Sequence, residues 1–294
     1  MKGDTVNEDQ PADLPTTSRR IVLRQRPHGL VDPATDLEIT QGPLPRPGEG
    51  EALMRTRYLG LDATVRSWLD EGEGYLPAVE VGEVVRCSGI GEIVASRSDR
   101  LPVGTMAYGL PGWQEYGVVP DDPGFTTPLP ADADPVGMIS LYGATGATAY
   151  FGLLEVGRPQ EGETVVVSAA AGATGSITGQ IAKLKGCRVI GIAGSDEKCA
   201  MVVDELGFDA CINRRTDDIK ARLRELCPDG IDIYFDNVGG PILDIVLSRL
   251  AMHGRVVLCG AIAGYNDEHR PPGPANYVNL ISRRGRMEGF IALD

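Results

Sequence analysis

Histidine, paired cysteine, basic charge and long apolar runs are all scarce in this chain. Only His28, His253 and His269 are present, and the six cysteines, at 87, 187, 199, 211, 227 and 259, form no C-x-x-C pair. Ligand sets for zinc need His, Cys or carboxylates at close, regular spacing, so no metal is expected. Against 41 acidic residues stand 28 lysines and arginines, a formal charge of −13. That balance argues against general nucleic-acid or anionic-membrane binding, since both select a basic face. No apolar run approaches the ~20 residues that span a bilayer. The opening MKGDTVNEDQPADLPTTSRR has no apolar h-region, so it does not read as a secretory signal. Its Pro, Asp, Thr and Gln content predicts a disordered tail over residues 1–18. Four of the cysteines lie in apolar or helical segments of the second half, where free thiols act as small hydrophobes, a usage that fits a reducing cytoplasm.

What is present is organised around residues 163–198, ETVVVSAAAGATGSITGQIAKLKGCRVIGIAGSDEK. An apolar run from Thr164 to Val167 passes through small residues into a helix-period segment, Ser176 to Lys185, and returns to an apolar run from Arg188 to Ile192. The turn Ala170-Ala171-Gly172-Ala173-Thr174-Gly175 fits the dinucleotide fingerprint G-x-G-x-x-G with alanine at the first glycine. Gly172 would let backbone approach a pyrophosphate, and Gly175 would let the helix pack closely on the strand. The helix N-terminus then offers its amide groups, including those of Ala173 and Thr174, to phosphate. An NAD site places Asp or Glu about 20 residues past the glycines. Here the second strand ends in Ala193-Gly194-Ser195, followed by Asp196, Glu197 and Lys198. A small tip with Ser195 and Lys198 suits a 2′-phosphate, which favours NADP(H) over NAD(H); the alternative is that these are helix-terminal and solvated charges.

With 294 residues, 42% hydrophobic and 23% charged, the chain has room for two ordinary domains. From about Ile21 to Pro130 the apolar runs are short and cut by Gly and Pro: 51–58, 78–87, 91–95, 105–110 and 114–119. They predict an all-β unit, a compact barrel. Residues 135–156 read as connecting helices, with Gly143 and Gly146 serving close packing rather than phosphate because no strand precedes them. Beyond the fingerprint, helices at 197–206, 216–227 and 241–250 alternate with strands at 210–212, 231–237 and 255–259, the pattern of a doubly wound parallel sheet. Ligands in such sheets lie outside the carboxyl ends of the strands. Asn237, Gly239, Gly240 and the stretch Cys259 to Tyr265 fall there, although glycines at strand ends are equally ordinary turn residues.

Seven segments then carry a family resemblance: Thr148–Gly157, Glu163–Ser176, Gly179–Lys198, Pro228–Gly240, Gly254–Asn266, Pro271–Tyr277 and Arg286–Phe290. Together they resemble the zinc-independent medium-chain dehydrogenases/reductases, in particular the prostaglandin reductase and alkenal double-bond reductase branch. The match is ordered over 148–290 and weaker before Pro135. The resemblance implies a Rossmann-type NADP-binding domain at 135–285, after a GroES-like catalytic domain at 19–134. Family members continue past the point matching Phe290, so 286–294 reads as the start of a shortened return to the catalytic domain. It implies NADPH-dependent reduction of a carbon–carbon double bond conjugated to a carbonyl. Gly172 to Gly175 would hold pyrophosphate and Lys198 the 2′-phosphate. Asn237 and the loop Cys259, Gly260, Ala261, Ile262 to Tyr265 would lie along the cofactor, and Phe290, Ile291 and Ala292 would approach the nicotinamide. A family tyrosine near the 2′-phosphate falls on Arg214, either a phosphate fork or a surface charge beside Arg215. Two motifs near substrate depart, at Ala63-Thr64-Val65 and Ala144-Thr145-Gly146, so substrate specificity does not carry over.

Where zinc members of the broader family carry Gly-His-Glu, this chain reads Glu80-Val81-Gly82-Glu83-Val84. Without a Lewis acid, hydride addition to the β-carbon leaves charge on the carbonyl oxygen, which requires a donor. Tyr265 is the candidate, with packing or cofactor contact as its alternative role. The other functions open are a quinone reductase of the same superfamily and an NADP(H)-binding protein without turnover. The resemblance further implies a homodimer through edge strands, for which the apolar region 255–262 is the indirect support.

Overall fold

Short β-branched runs separated by turn residues build the first part of the chain, and a repeating strand-helix pattern builds the second. The computed structural model describes residues 14–72, 74–267 and 272–292. It divides into two units, 1–139 and 140–294.

In the first unit, β1 (Thr17–Leu23) pairs antiparallel with β2 (Leu37–Pro43). A five-stranded antiparallel sheet runs in the order β6-β3-β4-β5-β7. Its strands are β3 (Glu51–Leu59), β4 (Gly89–Ser96), β5 (Met106–Gly109), β6 (Tyr116–Pro120) and β7 (Thr127–Pro128). Side chains alternate across the pleat. Ala52, Met54, Ile93 and Val119 therefore cluster on one face; a register shift between the pairs Leu53↔Ala95 and Met54↔Ile93 lets the adjacent Val94 and Ala95 both join Leu53 on the other. A single helical turn, α1 (Val65–Trp68), joins Leu23, Leu69 and Val85 in a third cluster.

Two expectations are corrected here. The predicted tail ends too late: residues 1–13 lie outside the described residues, but Thr17 and Ser18 already belong to β1 and Ser18 is buried. The run 78–87 is not a strand. Gly82, at φ +91°, turns the chain there. Irregular bonds remain, to β1 through Leu23 N–H to Glu83 O at 2.9 Å and Val85 N–H to Ile21 O at 3.0 Å, and elsewhere through Trp113 N–H to Val85 O at 2.9 Å.

A short helix, α2 (Pro135–Ser140), leads to α3 (Ala144–Phe151) and a π-helical turn, Gly152–Gly157. A side chain at Gly146 would place its Cβ 1.8 Å from Leu141 O, so this glycine serves packing, as expected. The sheet of the second unit is parallel, in the order β10-β9-β8-β11-β12-β13. Its strands are β8 (Thr164–Ser168), β9 (Arg188–Ala193), β10 (Ala210–Asn213), β11 (Ile231–Asp236), β12 (Leu250–Leu258) and β13 (Arg286–Gly289). Counted from β8, that order is the Rossmann order, reversing between β8 and β11. Val165, Val167, Phe235 and Val257 face one core, and Val166, Tyr234 and Val256 face the other. Burial on both faces explains why these strands read as continuous apolar runs.

Between the strands lie α4 (Ala173–Leu184), α5 (Asp196–Ala200) with a π-helical turn at Met201–Glu205, α6 (Ile219–Leu226), α7 (Gly240–Leu247) and α8 (Asn279–Arg283). The third of these helices starts later than the expected residue 216 because Asp218 caps it, accepting from Ala221 N–H at 3.0 Å. Asp217 is meanwhile taken by Asn213 N–H at 2.9 Å. A further correction concerns 286–294. Residues 286–289 form β13, parallel to β12 from Arg255↔Arg286 to Leu258↔Gly289, so they extend the nucleotide sheet rather than leave it; 293 and 294 lie outside the described residues. Having β13 beside it also makes β12 an inner strand, so the apolar region 255–262 does not itself supply a sheet edge for the expected homodimer.

Candidate functional site

A cavity of about 840 Å³ opens among the carboxyl ends of the second unit's strands, within the size range of small-molecule sites. Its first wall is the turn after β8. Ala169 adopts φ +47°, one residue ahead of the position expected for the first glycine. Its carbonyl accepts from Gly172 N–H at 2.8 Å, closing the turn. Gly172 lines the cavity, and α4 begins at Ala173. A Cβ on Gly175 would sit 2.4 Å from Ala169 O, so only glycine lets the helix approach this turn. The first-turn amides of α4, those of Ala173, Thr174 and Gly175, have no carbonyl a turn earlier within the helix and are donors of the kind that an anion can take.

The second wall is the tip of β9. Ser195 caps α5 by accepting from Lys198 N–H at 3.3 Å. Lys198 and Arg214 line the cavity with Ser195, and Arg215 joins them. Arg214 follows β10, its N–H bonding Ala193 O at 2.9 Å. Its guanidinium lies beside Gly194, 3.7 Å from where a Cβ would be. The carboxylate just past the tip is already engaged: Asp196 accepts from Asn213 Nδ2 at 2.7 Å. Glu197 is the one acidic side chain in the lining, facing the two arginines and the lysine. Charge at this wall is therefore net positive in a strongly acidic protein.

At the topological switch point, the fully buried Asp236 organises the third wall. Its Oδ1 accepts from Tyr234 Oη at 2.8 Å, Ser168 Oγ at 3.1 Å, Val238 N–H at 3.0 Å and Gly239 N–H at 2.9 Å. Its main-chain oxygen accepts from Cys259 N–H at 2.9 Å and Gly260 N–H at 3.0 Å. One residue thus ties together the ends of β8, β11 and β12. Burial and then the nearby Asp236 carboxyl push the Cys259 thiol up to about 12, and the same two causes raise the Tyr234 phenol well above its ordinary value. Gly239, at φ +70°, lines the cavity with Val238 in a conformation that L side chains rarely adopt.

Of the expected residues, Gly172, Ser195, Lys198, Arg214, Gly239, Ile262 and Ala263 line this cavity. Asn237 is used as a latch instead, its Nδ2 donating to Ser168 O at 2.7 Å. In the loop after β12, Ile262 N–H bonds Asn237 O at 3.3 Å and Ala263 N–H bonds Val238 O at 3.0 Å. Cys259, Gly260 and Ala261 therefore stand behind the lining rather than in it. The Tyr265 hydroxyl folds back onto this loop and accepts from Ala261 N–H at 3.3 Å. Phe290 packs inward: a Cβ on Gly152 would meet its ring at 2.3 Å, and the Phe235 ring stands edge-on with centroids 6.4 Å apart. Ile291 and Ala292 follow it outside the cavity lining.

The comparisons agree with this geometry. A family model described as the N-terminal domain of oxidoreductase matches residues 19–127, and one described as zinc-binding dehydrogenase matches 173–294. NADPH-dependent curcumin reductase of Escherichia coli (strain K12) is 39% identical over 278 residues, covering 93% of this chain and 80% of that protein. Prostaglandin reductase 1 of Rattus norvegicus is 41% identical over 266 residues, covering 87% and 77%. The solved structure of CurA in complex with NADPH from Vibrio vulnificus matches with a TM-score of 0.87 at 40% identity, over 94% of this chain and 82% of that one. The chain belongs to the prostaglandin reductase and alkenal double-bond reductase branch of the medium-chain dehydrogenases/reductases. In this medium-chain family member, no group of three or more His, Cys, Asp or Glu side chains among the described residues could hold a metal ion. The residues present fit a dinucleotide: a cradle that a Cβ at Gly175 would fill, a helix N-terminus, and three cations around one end of the cavity. Sequence reasoning missed Asp236 and Arg215. The available signal for Asp236 was a carboxylate directly after the apolar run Ile233-Tyr234-Phe235 of β11, where an unpaired charge would be costly.

Proposed function

We propose that this protein reduces the carbon–carbon double bond of α,β-unsaturated aldehydes and ketones with NADPH. The observation that carries the reading is the cavity in which the fingerprint turn shares a lining with Lys198, Arg214 and Arg215, while Asp196 is held by Asn213. NADPH, when bound, supplies the hydride that goes to the β-carbon of the conjugated system. The α4 amides from Ala173 to Gly175 and the bare backbone of Gly172 hold pyrophosphate; Lys198, Arg214 and Ser195 hold the 2′-phosphate. Asn237 and the loop from Cys259 to Tyr265 shape the nicotinamide half, with Phe290 to Ala292 at its border. Tyr265 donates to the carbonyl oxygen as charge grows there. The Ala261 N–H on its phenol oxygen fixes where the hydroxyl sits in the loop. Conjugation to the carbonyl activates the double bond, so the reading needs no zinc. The first unit serves as a GroES-like substrate domain. Association into a homodimer uses the outer edge of β13, the last strand of the parallel sheet. The six free thiols suit a reducing cytoplasm.

The test is cofactor consumption, followed by nicotinamide absorbance, against 2-alkenals, enones and quinones, with NADH as control. Enal turnover with preference for NADPH is expected. NADPH binding without turnover on any substrate would overturn the reductase reading, and quinones outcompeting enals would move it to a quinone reductase.

A further inference from the structure

We propose that Cys199 and Cys211 form a peroxide-oxidisable dithiol whose disulfide loosens the hold of the adjacent site on NADPH. The second half of this proposal rests on the cofactor reading above. Register brings the two thiols together. Asp196 at the start of α5 is bonded to Asn213 at the end of β10 at 2.7 Å, which pins helix to strand. Three residues along the helix, Cys199 shares a face with Asp196. Two residues back along the strand, Cys211 shares a face with Asn213. Helix and strand run in opposite senses in a βαβ unit, so both steps lead the same way and set the two thiols side by side, where Cys199 helps to raise the Cys211 thiol. Gly191, paired with Cys211 across the sheet, leaves the sulfur room: a Cβ there would already stand 3.4 Å from Cys211 Sγ. Both cysteines are free and half-buried, within reach of a small oxidant.

The chemistry balances with hydrogen peroxide as co-reactant. Burial, and then the neighbouring Cys199 thiol, hold the Cys211 thiol well above its ordinary value, so Cys199 meets the oxidant and Cys211 resolves it. Peroxide transfers one oxygen to Cys199 Sγ, giving a sulfenic acid and water. Cys211 Sγ then forms the S–S bond as a second water leaves. The two thiols lose two electrons and two protons, and one peroxide becomes two waters. A disulfide closes the sulfurs to about 2 Å. That contraction draws the first turn of α5 onto β10. The turn carries Ser195 and Lys198, and β10 runs directly into Arg214 and Arg215, so the bridge displaces the groups proposed to hold the 2′-phosphate.

Trypsin cuts after Lys198 and Arg214, releasing both cysteines in the single peptide 199–214. After peroxide treatment of the whole protein, that peptide should lose two hydrogens and refuse alkylation. The Kd for NADPH should rise several-fold and return on reduction with dithiothreitol, and Cys199→Ser should hold its affinity through the same treatment. Alkylation of both thiols after peroxide would overturn the dithiol, as would a Cys199→Ser protein that loses affinity equally. A bridged protein with unchanged Kd would overturn its effect on the site. A reduced protein that binds no NADPH would overturn the cofactor reading and the affinity half together, while the peptide still decides whether the bridge forms.

Discussion

Asp236 illustrates how one side chain holds a site it does not line. Four donors converge on its buried Oδ1, and Oδ2 has no partner among the described residues, so the carboxyl is committed to positioning β8, β11 and the loop at Val238 and Gly239. Asp236→Ala should lower unfolding stability by about 3 kcal/mol or more, since each buried donor left unpaired costs about 1–3 kcal/mol. Asp236→Asn keeps an oxygen acceptor and should cost less; urea midpoints at constant slope check both. Lys198 and Arg214 act by charge instead. Lys198→Ala or Arg214→Ala should raise the Kd for NADPH about tenfold, equivalent to ~1.4 kcal/mol, and leave the Kd for NADH unchanged. Titration of cofactor fluorescence decides this, and equal losses for both cofactors would remove the 2′-phosphate assignment.

At the scale of elements, the fit between α4 and its neighbours controls where the cofactor end of that helix sits. Gly179, one turn beyond Gly175, faces Phe208: a Cβ there would lie 1.8 Å from the ring. Phe208 itself is buried in the cluster with Val165, Ala182 and Val189. Gly179→Ala should therefore overpack this face and lower stability by about 1–3 kcal/mol. Adding Phe208→Leu should recover part of the loss, because the clash and not helix propensity is responsible; alanine is intrinsically the better helix residue. Thermal melts of the single and double variants measure the recovery. Across the sheet, Arg255 of β12 bonds Gly157 O at 2.8 Å and Glu163 Oε1 at 2.9 Å, tying the strand to the segment before β8.

For the whole molecule, acid is the predicted weakness. In the second unit, burial would raise the Asp209 carboxyl, but its bonds to Lys183 at 2.8 Å and to Val189 N–H at 2.7 Å outweigh it and hold it below the usual carboxylate range. In the first unit, Arg55 and Arg57 lower Glu92, Arg19 lowers Glu115, and Ser98 with Arg100 lowers Asp121, each against the opposing effect of burial. A carboxyl whose folded value lies below its unfolded value binds fewer protons when folded. Its contribution is complete above the unfolded value, about 4, and is lost as pH falls through the folded one. Denaturant midpoints should hold from neutral pH to about 5 and drop steadily below about 4. A midpoint unchanged down to pH ~3 would show that these pairs contribute nothing measurable.

Much of this was legible along the chain because the signals are local. The run Thr164 to Val167, the small residues to Gly175 and the period of the helix that follows are set by neighbours within a few residues, and they appear as β8 and α4. Ser195 and Lys198 were legible for the same reason. The strands β1, β2 and β7 were not, because edge strands of mixed polarity earn their structure from partners distant in sequence, as Ile21 does from Ile39. Arg286–Gly289 reads as a departure from the sheet until β12 offers it a parallel edge. Phe290 and Asn237 carry side chains suited to a ligand, yet Gly152 and Ser168 claim them first. The sequence by itself determined the doubly wound parallel sheet, the fingerprint turn and the charge at the β9 tip. Only the tertiary structure decided that Asp196 is taken by Asn213, that Asp236 binds three strand ends, and that Cys199 of α5 comes to lie beside Cys211 of β10. Each of those is a pairing between elements, whose free energy exists only once packing has brought both partners together and excluded water from one side.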